Sequence, residues 1–359
     1  MWWCSTCAGG SLGWSRRQVL VALGQACLAA GLASRQAGAF SVFDEAGDVK
    51  IGREADPEIL KKFGYYDGPE IQNYVAQLGQ RVAATSDTRF NFQFKVVDQP
   101  YINAMALPGG FVYVTRGMLG ELNDEAQLAT ILGHEMTHVN SRHGAKLLTK
   151  AMGAQIATLL GLGAAAASGG GSAVAGVALI SSHITNYMLL GYGREYEQEA
   201  DEVGLRYAHT AGYDPRRMVV FLRALRRKEM LSGQTMYHGF EATHPDTSVR
   251  IAKADTMASL LVSEGGPLLV KADEYKEHLD GLIYGEAKDQ RLIRVYTAKP
   301  GDSLASIAKE AMGDEGRRYE LAGLNGLRDD AVVAPGSRLK LVFPRGESTK
   351  SLDLQLKKD

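Results

Sequence analysis

Apolar positions recur along the chain with two different periods, and each change of period marks a new element. Ile71, Val75, Leu78 and Val82 are spaced four, three and four, the stripe of an amphipathic helix, and Asp67-Gly68-Pro69 supplies its start signal. The stretch from Val42 to about Ser86 reads as mainly helical. Phe90, Phe92 and Phe94 then alternate with polar residues, which predicts a half-buried strand running to Asp98. Pro108-Gly109-Gly110 marks a turn. Phe111 to Thr115 is a second strand, either an open edge beside the next helix or one arm of a structural hairpin. Asn123-Asp124 offers an N-cap with Glu125 in the first turn, where negative charge suits the helix dipole. That spacing predicts a long helix reaching about Met152.

No Asp, Glu, Lys or Arg occurs between Ala151 and Gly193. The apolar run from Ile156 to Ala167 is about two-thirds of a membrane span, and Ser168-Gly-Gly-Gly-Ser172 breaks the pattern beyond it. Two short apolar helices, or a flap near a site, are therefore expected rather than a membrane hairpin. A helix opens at Arg194 and ends near Gly212. Asp214-Pro215 starts another that continues to Leu231, with Arg223, Arg226, Arg227 and Lys228 as a solvated face. From Arg294 the pattern changes to a strand, a Pro300-Gly301-Asp302 turn, an Asp302 or Ser303 cap and a short helix. A further turn at Leu324 to Leu327 and a strand ending near Val342 complete it. The tail after Arg345 is polar and reads as disordered.

Composition adds little. Apolar residues at 45% and charged residues at 23% are those of an ordinary globular protein. A formal charge of -1 over 359 residues gives no electrostatic reason to expect nucleic acid. The N-terminus says more. Ser15-Arg16-Arg17, the apolar run Val19 to Ala33 and Ala37-Gly38-Ala39 form a signal peptide over residues 1–39, with a twin-arginine-like start. Export to a bacterial periplasm is the expectation. Cys4, Cys7 and Cys27, the three cysteines, all lie in that leader, so a processed chain carries no thiol.

Chemistry concentrates in His134-Glu135-Met136-Thr137-His138, the pattern H-E-x-x-H. Positions i and i+4 share a helix face, so both imidazoles can reach one ion, and Glu135 follows the first of them as a general base. Zinc held with one position open needs a third protein ligand. Glu195, Glu197, Glu199, Asp201 and Glu202 qualify by type, and spacing alone does not choose among them.

His134-Glu-Met-Thr-His-Val-Asn-Ser-Arg-His143, followed by Glu197-Gln-Glu-Ala-Asp201-Glu-Val-Gly204, resembles a family of zinc peptidases. It is the one containing the CAAX prenyl endopeptidases, the HtpX heat-shock protease and the periplasmic β-barrel-assembly-enhancing protease. The family pattern is H-E-x-x-H-x-x-x-R-H, then E-x-x-A-D-x-x-G, and every fixed position is met. The resemblance covers about Asp48 to Gly285, and the lack of long intramembrane helices points to the soluble periplasmic branch. It implies an α+β fold: a mostly helical zincin domain of the gluzincin type, with a small sheet whose edge strand flanks the metal helix. It also implies one Zn²⁺ held by His134, His138 and Glu197, Glu135 as base, and Asp201 orienting a ligand imidazole. His244, in Thr243-His244-Pro245, resembles a family segment near the metal, where it would either block the open position or stabilise the oxyanion. Residues 294–343 resemble a LysM-like βααβ module, which implies peptidoglycan as a partner.

The expected organisation is thus a leader over 1–39, a protease domain over 40–290, the module over 294–343 and a flexible tail over 346–359. The expected activity is hydrolysis of misfolded or stalled envelope proteins, with no nucleic-acid partner and at most peripheral membrane association. Two other readings stand beside it: a chaperone-like binder with a latent metal site, and a cell-wall binding protein acting through the module.

Overall fold

The computed structural model describes residues 44–147, 191–232, 244 and 247–345. The leader, nearly all of the uncharged stretch and the tail lie outside the described residues. The chain divides at Asp44, and the described residues from Glu45 onward belong to one compact unit.

That unit opens with α1 (Glu45–Phe63), whose Ile51, Ala55, Ile59 and Phe63 recur every four residues and are all buried. Glu45 and Asp48 in its first turn and Lys61 and Lys62 in its last complement the helix dipole. Helix α2 (Pro69–Ala83) starts on a proline, whose missing N–H would have had no partner in the first turn. Its predicted stripe of Ile71, Val75, Leu78 and Val82 is the buried face.

The first sheet contains β1 (Gln93–Val97), β2 (Ala104–Leu107) and β3 (Phe111–Thr115), in the order β1-β3-β2. β1 runs parallel to β3, and β2 runs antiparallel to it. Phe111 to Thr115 is therefore the middle strand, and the open-edge reading of it is corrected. The edge is β2. Gly109 and Gly110, at φ 82° and 104°, let the chain reverse and lay Ala104–Leu107 alongside β3. Ala-Met-Ala-Leu was missed as a strand for two reasons: its residues have weak β-propensity, and all four are buried, so no alternation marks them. Thr115 N donates to Asn103 O, which makes 103/115 a hydrogen-bonded pair. By the alternation of antiparallel ladders, Ala104 and Ala106 then turn their backbone groups away from β3, along the side of β2 that pairs with no other strand among the described residues.

After α3 (Arg116–Glu121) comes α4 (Glu125–Asn140), capped as predicted by Asp124, whose carboxylate accepts from Gln127 N at 2.8 Å. The helix ends at Asn140, twelve residues before the expected Met152. Arg142 adopts a left-handed φ of 55° and donates to Asp48 of α1 at 2.5 Å, and helical conformation resumes over 143–147. Tertiary anchoring of one arginine overrides a periodicity that would have continued the helix.

Among the described residues, three helices come next: α5 (Arg194–Thr210), α6 (Arg216–Ser232) and α7 (Thr247–Ser263), then the short α8 (Ala272–His278). The second sheet joins β4 (Ile283–Tyr284), β5 (Arg291–Thr297) and β6 (Arg338–Pro344) in sequence order, all antiparallel. Between β5 and β6 lie α9 (Leu304–Met312), a 3₁₀ turn (Glu315–Arg317) and α10 (Arg318–Leu324), giving the expected βααβ order. Ser303 caps α9 in a reciprocal capping box with Ser306. The module is keyed to the rest of the unit by Lys340. Its amine is fully buried and donates to Gly120 O at 2.7 Å and Leu122 O at 2.8 Å, the carbonyls at the end of α3. Among the described residues, no helix is long and apolar enough to cross a membrane.

Candidate metal centre

Two helices carry the chemistry, and two glycines let them touch. A Cβ on Gly204 of α5 would lie 2.5 Å from His134 N, and one on Gly133 of α4 would lie 2.6 Å from Gly204 O. The backbones are thus in van der Waals contact beside the first histidine, which brings Glu197, two turns earlier on α5, opposite the imidazoles.

His134, Glu135, His138 and Glu197 are each at most 2% exposed. His134 Nε2 lies 3.0 Å from His138 Nε2, 3.6 Å from Glu197 Oε2, and His138 Nε2 lies 3.5 Å from Glu197 Oε1. For ligand bonds of ~2.0–2.1 Å, the edge of a tetrahedral site is ~3.3 Å, so the three donors match one such ion. Of the five acidic candidates on α5, the structure brings Glu197 to the imidazoles, and Asp201 stands behind His134. Glu195 and Glu202 are exposed, and Glu199 lies near the surface beside Ser141.

The hydrogen-bond network decides which ring nitrogens carry protons. Arg250 can only donate; its Nε and Nη2 give 2.7 Å bonds to Asp201. Asp201, a carboxylate, then accepts from His134 Nδ1 at 3.0 Å, which leaves the lone pair of His134 on Nε2. On the other arm, Glu199 Oε2 lies 3.3 Å from His143 Nε2, and His143 Nδ1 lies 2.9 Å from His138 Nδ1. The same reasoning places the lone pair of His138 on Nε2. Two lone pairs facing each other at 3.0 Å repel unless a cation lies between them. Charge agrees. Glu135, Glu197 and Asp201 face one buried guanidinium, Arg250, and the imidazole of His244, an excess of acidic groups that a cation at the cluster would offset. Both carboxylate oxygens of Glu135 are buried without a hydrogen-bond partner among the described residues, as expected of a group whose partner is the reacting molecule.

Electrostatics reflect this burial. Burial raises the Glu135 carboxyl above its ordinary value, with His244 and His134 opposing it. Burial drives His138 well below its ordinary value, reinforced by the neighbouring imidazoles, so it stays neutral and able to ligate. For Asp201 burial acts upward, but the charge and hydrogen bonds of Arg250 outweigh it and hold the carboxyl well below the usual range.

His244 is 1% exposed and enters the same cluster. Its Nδ1 lies 2.9 Å and 3.0 Å from the two Glu197 oxygens and 3.2 Å from His134 Nε2, while Nε2 lies 3.5 Å from Glu135. Tyr192 stacks on His138 at 3.9 Å and reaches Ala106 O, on the outer edge of β2, at 3.5 Å. The void left beside His138 is only about 10 Å³. A larger cleft of about 550 Å³ lies away from this chemistry, between α6 and α10.

Sequence reasoning missed Arg250, Tyr192 and the role of His143. Arg250 carried one signal, a single charge within the apolar run Val249, Ile251 and Ala252 at the start of α7.

A buried pair of imidazoles i, i+4 apart, a carboxylate from a second helix and an adjacent buried glutamate that makes no hydrogen bond among the described residues define the metal-dependent hydrolase class. The model of peptidase family M48 matches residues 69–258, and the chain belongs to that family. A LysM domain model matches residues 296–342. Among curated relatives, the beta-barrel assembly-enhancing protease of Escherichia coli K12 is 27% identical over 209 residues, covering 57% of this chain and 42% of that one. That of Yersinia pestis is 26% identical over 279 residues, 70% of this chain and 56% of the relative. The mitochondrial metalloendopeptidase OMA1 of Danio rerio is 31% identical over 190 residues, 52% and 39% of the two chains. The chain therefore spans roughly half the length of the curated relatives it matches.

Proposed function

We propose that this chain is a zinc-dependent metalloendopeptidase of the bacterial periplasm, exported by a twin-arginine-like leader, that cleaves misfolded or stalled envelope proteins. The observation that carries it is the pair of imidazole Nε2 atoms 3.0 Å apart, with Glu197 opposite and Glu135, which makes no hydrogen bond among the described residues, beside them. His134, His138 and Glu197 hold one zinc ion, for which the two-imidazole, one-carboxylate set is chemically suited. When bound, zinc supplies Lewis acidity that acidifies water and polarises a scissile carbonyl. Glu135 takes the proton from the attacking water on its carboxylate and passes it to the departing amine. Its raised affinity for protons suits both halves of that exchange. Asp201, anchored by Arg250, keeps His134 Nδ1 protonated and the ring aimed inward.

The substrate lies extended along β2, pairing with the outward backbone groups of Ala104 and, once the Tyr192 hydroxyl leaves its carbonyl, of Ala106. His244 serves as a gate. In its present position it occupies the side of the cluster that an incoming carbonyl needs, and once displaced it stands close enough to donate to the oxyanion. The names of two relatives, which speak of β-barrel assembly, support outer-membrane β-barrel proteins as the substrates we propose. The LysM module supplies a peptidoglycan contact that keeps the enzyme near them.

The deciding experiment measures metal content and casein degradation for wild type beside Glu135→Gln. One zinc per chain in both, with cleavage lost in the variant by a factor of roughly 10² or more and abolished in wild type by a chelator, is the expected result. Casein binding with no metal-dependent cleavage in wild type would instead favour a chaperone-like binder.

A further inference from the structure

The two ligand imidazoles are held from behind by unlike partners. His134 leans on a buried ion pair. His138 leans on a second imidazole, and that imidazole leans on a carboxylate at the protein surface. His143 is fully buried and stacks on Tyr196 at 4.4 Å, so its ring plane is fixed by packing. Glu199 keeps 44% of its side chain in solvent and accepts from Ser141 Oγ at 2.5 Å. Glu199 is not among the fixed positions of the E-x-x-A-D-x-x-G pattern, so this outer link belongs to the chain's own sequence.

We propose that His143 and Glu199 form a positioning relay for His138, in which the surface carboxylate decides the tautomer of a metal ligand two contacts away, through the intervening ring. The inference rests on the metal-site reading above. A carboxylate has no proton to give, so the nitrogen of His143 facing it, Nε2, is the donor. A neutral imidazole with its proton on Nε2 presents a lone pair on Nδ1. That lone pair lies 2.9 Å from His138 Nδ1, which must therefore carry the proton, and His138 Nε2 is left free to ligate. The break at Arg142 is what makes the relay reachable. Its left-handed φ of 55° turns His143 off the axis of α4 and back beneath His138, where a continued helix would have pointed it elsewhere. Substituting an acceptor-only group at the far end with a donor-only group should reverse the chain of donors. His138 Nδ1 would then accept from His143 Nδ1, which moves the His138 proton onto Nε2, the nitrogen that must ligate, without any change in what directly touches the ring.

The test uses the full chain loaded with zinc and has two arms. The first is direct: selectively ¹⁵N-histidine-labelled wild type, read for which nitrogen of each neutral ring carries the proton. His143 protonated on Nε2 and His138 protonated on Nδ1 are expected; His143 protonated on Nδ1 overturns the relay. The second arm measures zinc affinity by competition with a chromophoric chelator. Glu199→Gln, which keeps an acceptor, should bind close to wild type. Glu199→Lys should bind about tenfold more weakly, and His143→Phe about 10–100-fold more weakly. Glu202→Lys, the same charge change on an exposed position of α5, separates tautomer control from general electrostatics and should leave affinity within about twofold. Equal losses in Glu199→Lys and Glu202→Lys, or none in either Glu199→Lys or His143→Phe, refute the proposal. Wild type that binds no zinc overturns the metal-site reading together with it, whereas zinc-binding wild type with unaffected variants overturns the relay alone.

Discussion

Gly204→Ala sets helix propensity against packing, and the two predict opposite signs. Gly204 is in the middle of α5, where alanine is favoured over glycine by about 0.5–1 kcal/mol on backbone entropy. The added methyl, however, would lie 2.5 Å from His134 N and 2.8 Å from both Gly133 C and His134 Cα. Ordinary contact between such atoms needs ~3.5 Å, so α4 and α5 must part by about 1 Å. The atoms in the way are backbone, which no rotamer change can move. Overpacking of this kind costs about 1–3 kcal/mol, enough to outweigh the propensity gain. The larger effect falls on the site. Glu197 rides on α5 while His134 and His138 ride on α4, at separations of 3.5–3.6 Å. Ligand distances tolerate only ~0.2 Å, so the same 1 Å would have to be absorbed at the proposed metal site. Zinc affinity is expected to fall by more than tenfold and the melting temperature by a few degrees. Gly323→Ala is the matching control: it lies in α10 with nothing within 4 Å of the added methyl, and should stabilise slightly. Thermal melts and chelator competition on both variants read the result. A Gly204→Ala chain that melts at or above wild type with unchanged zinc affinity refutes the reasoning.

Two further outcomes concern the module. Burial pushes the Lys340 amine down to about 7, with Glu121 only partly opposing, against 10.5 in a solvated chain. Between those values the unfolded chain holds the extra proton, so unfolding free energy should rise as pH goes from 7 toward 10.5; Lys340→Met should flatten that slope in urea melts. Second, the full chain in its Glu135→Gln form should be retained on insoluble peptidoglycan and released by soluble N-acetylglucosamine oligomers. Retention that the oligomers fail to displace counts against a glycan site.

Much of the site was legible because its signal is local. His134, Glu135 and His138 sit on one helix, and their geometry comes from 3.6 residues per turn. The Asp124 cap and the stripe of α2 are read equally directly, since caps and periodicities are short-range physics. Glu197 and Asp201 were a different case. Five acidic residues on one helix are equivalent until that helix is placed against another, and a family pattern had to choose among them. For Phe111 to Thr115 the hairpin reading held and the open-edge reading failed, because β2 has no alternation to show and strand order is a matter of long-range pairing. The end of α4 was misread because Arg142 is bound to Asp48, ninety-four residues away in sequence.

The amino-acid sequence by itself therefore determined the donor set: two imidazoles, a neighbouring base and an acidic helix to complete them. Only the tertiary structure decided which atoms of those donors face inward. Tautomers are set by the groups behind each ring, Arg250 through Asp201 on one side and Glu199 through His143 on the other. Those partners come from α5 and α7 as well as from the turn after α4, and contacts between separate elements leave no period in the chain that carries them.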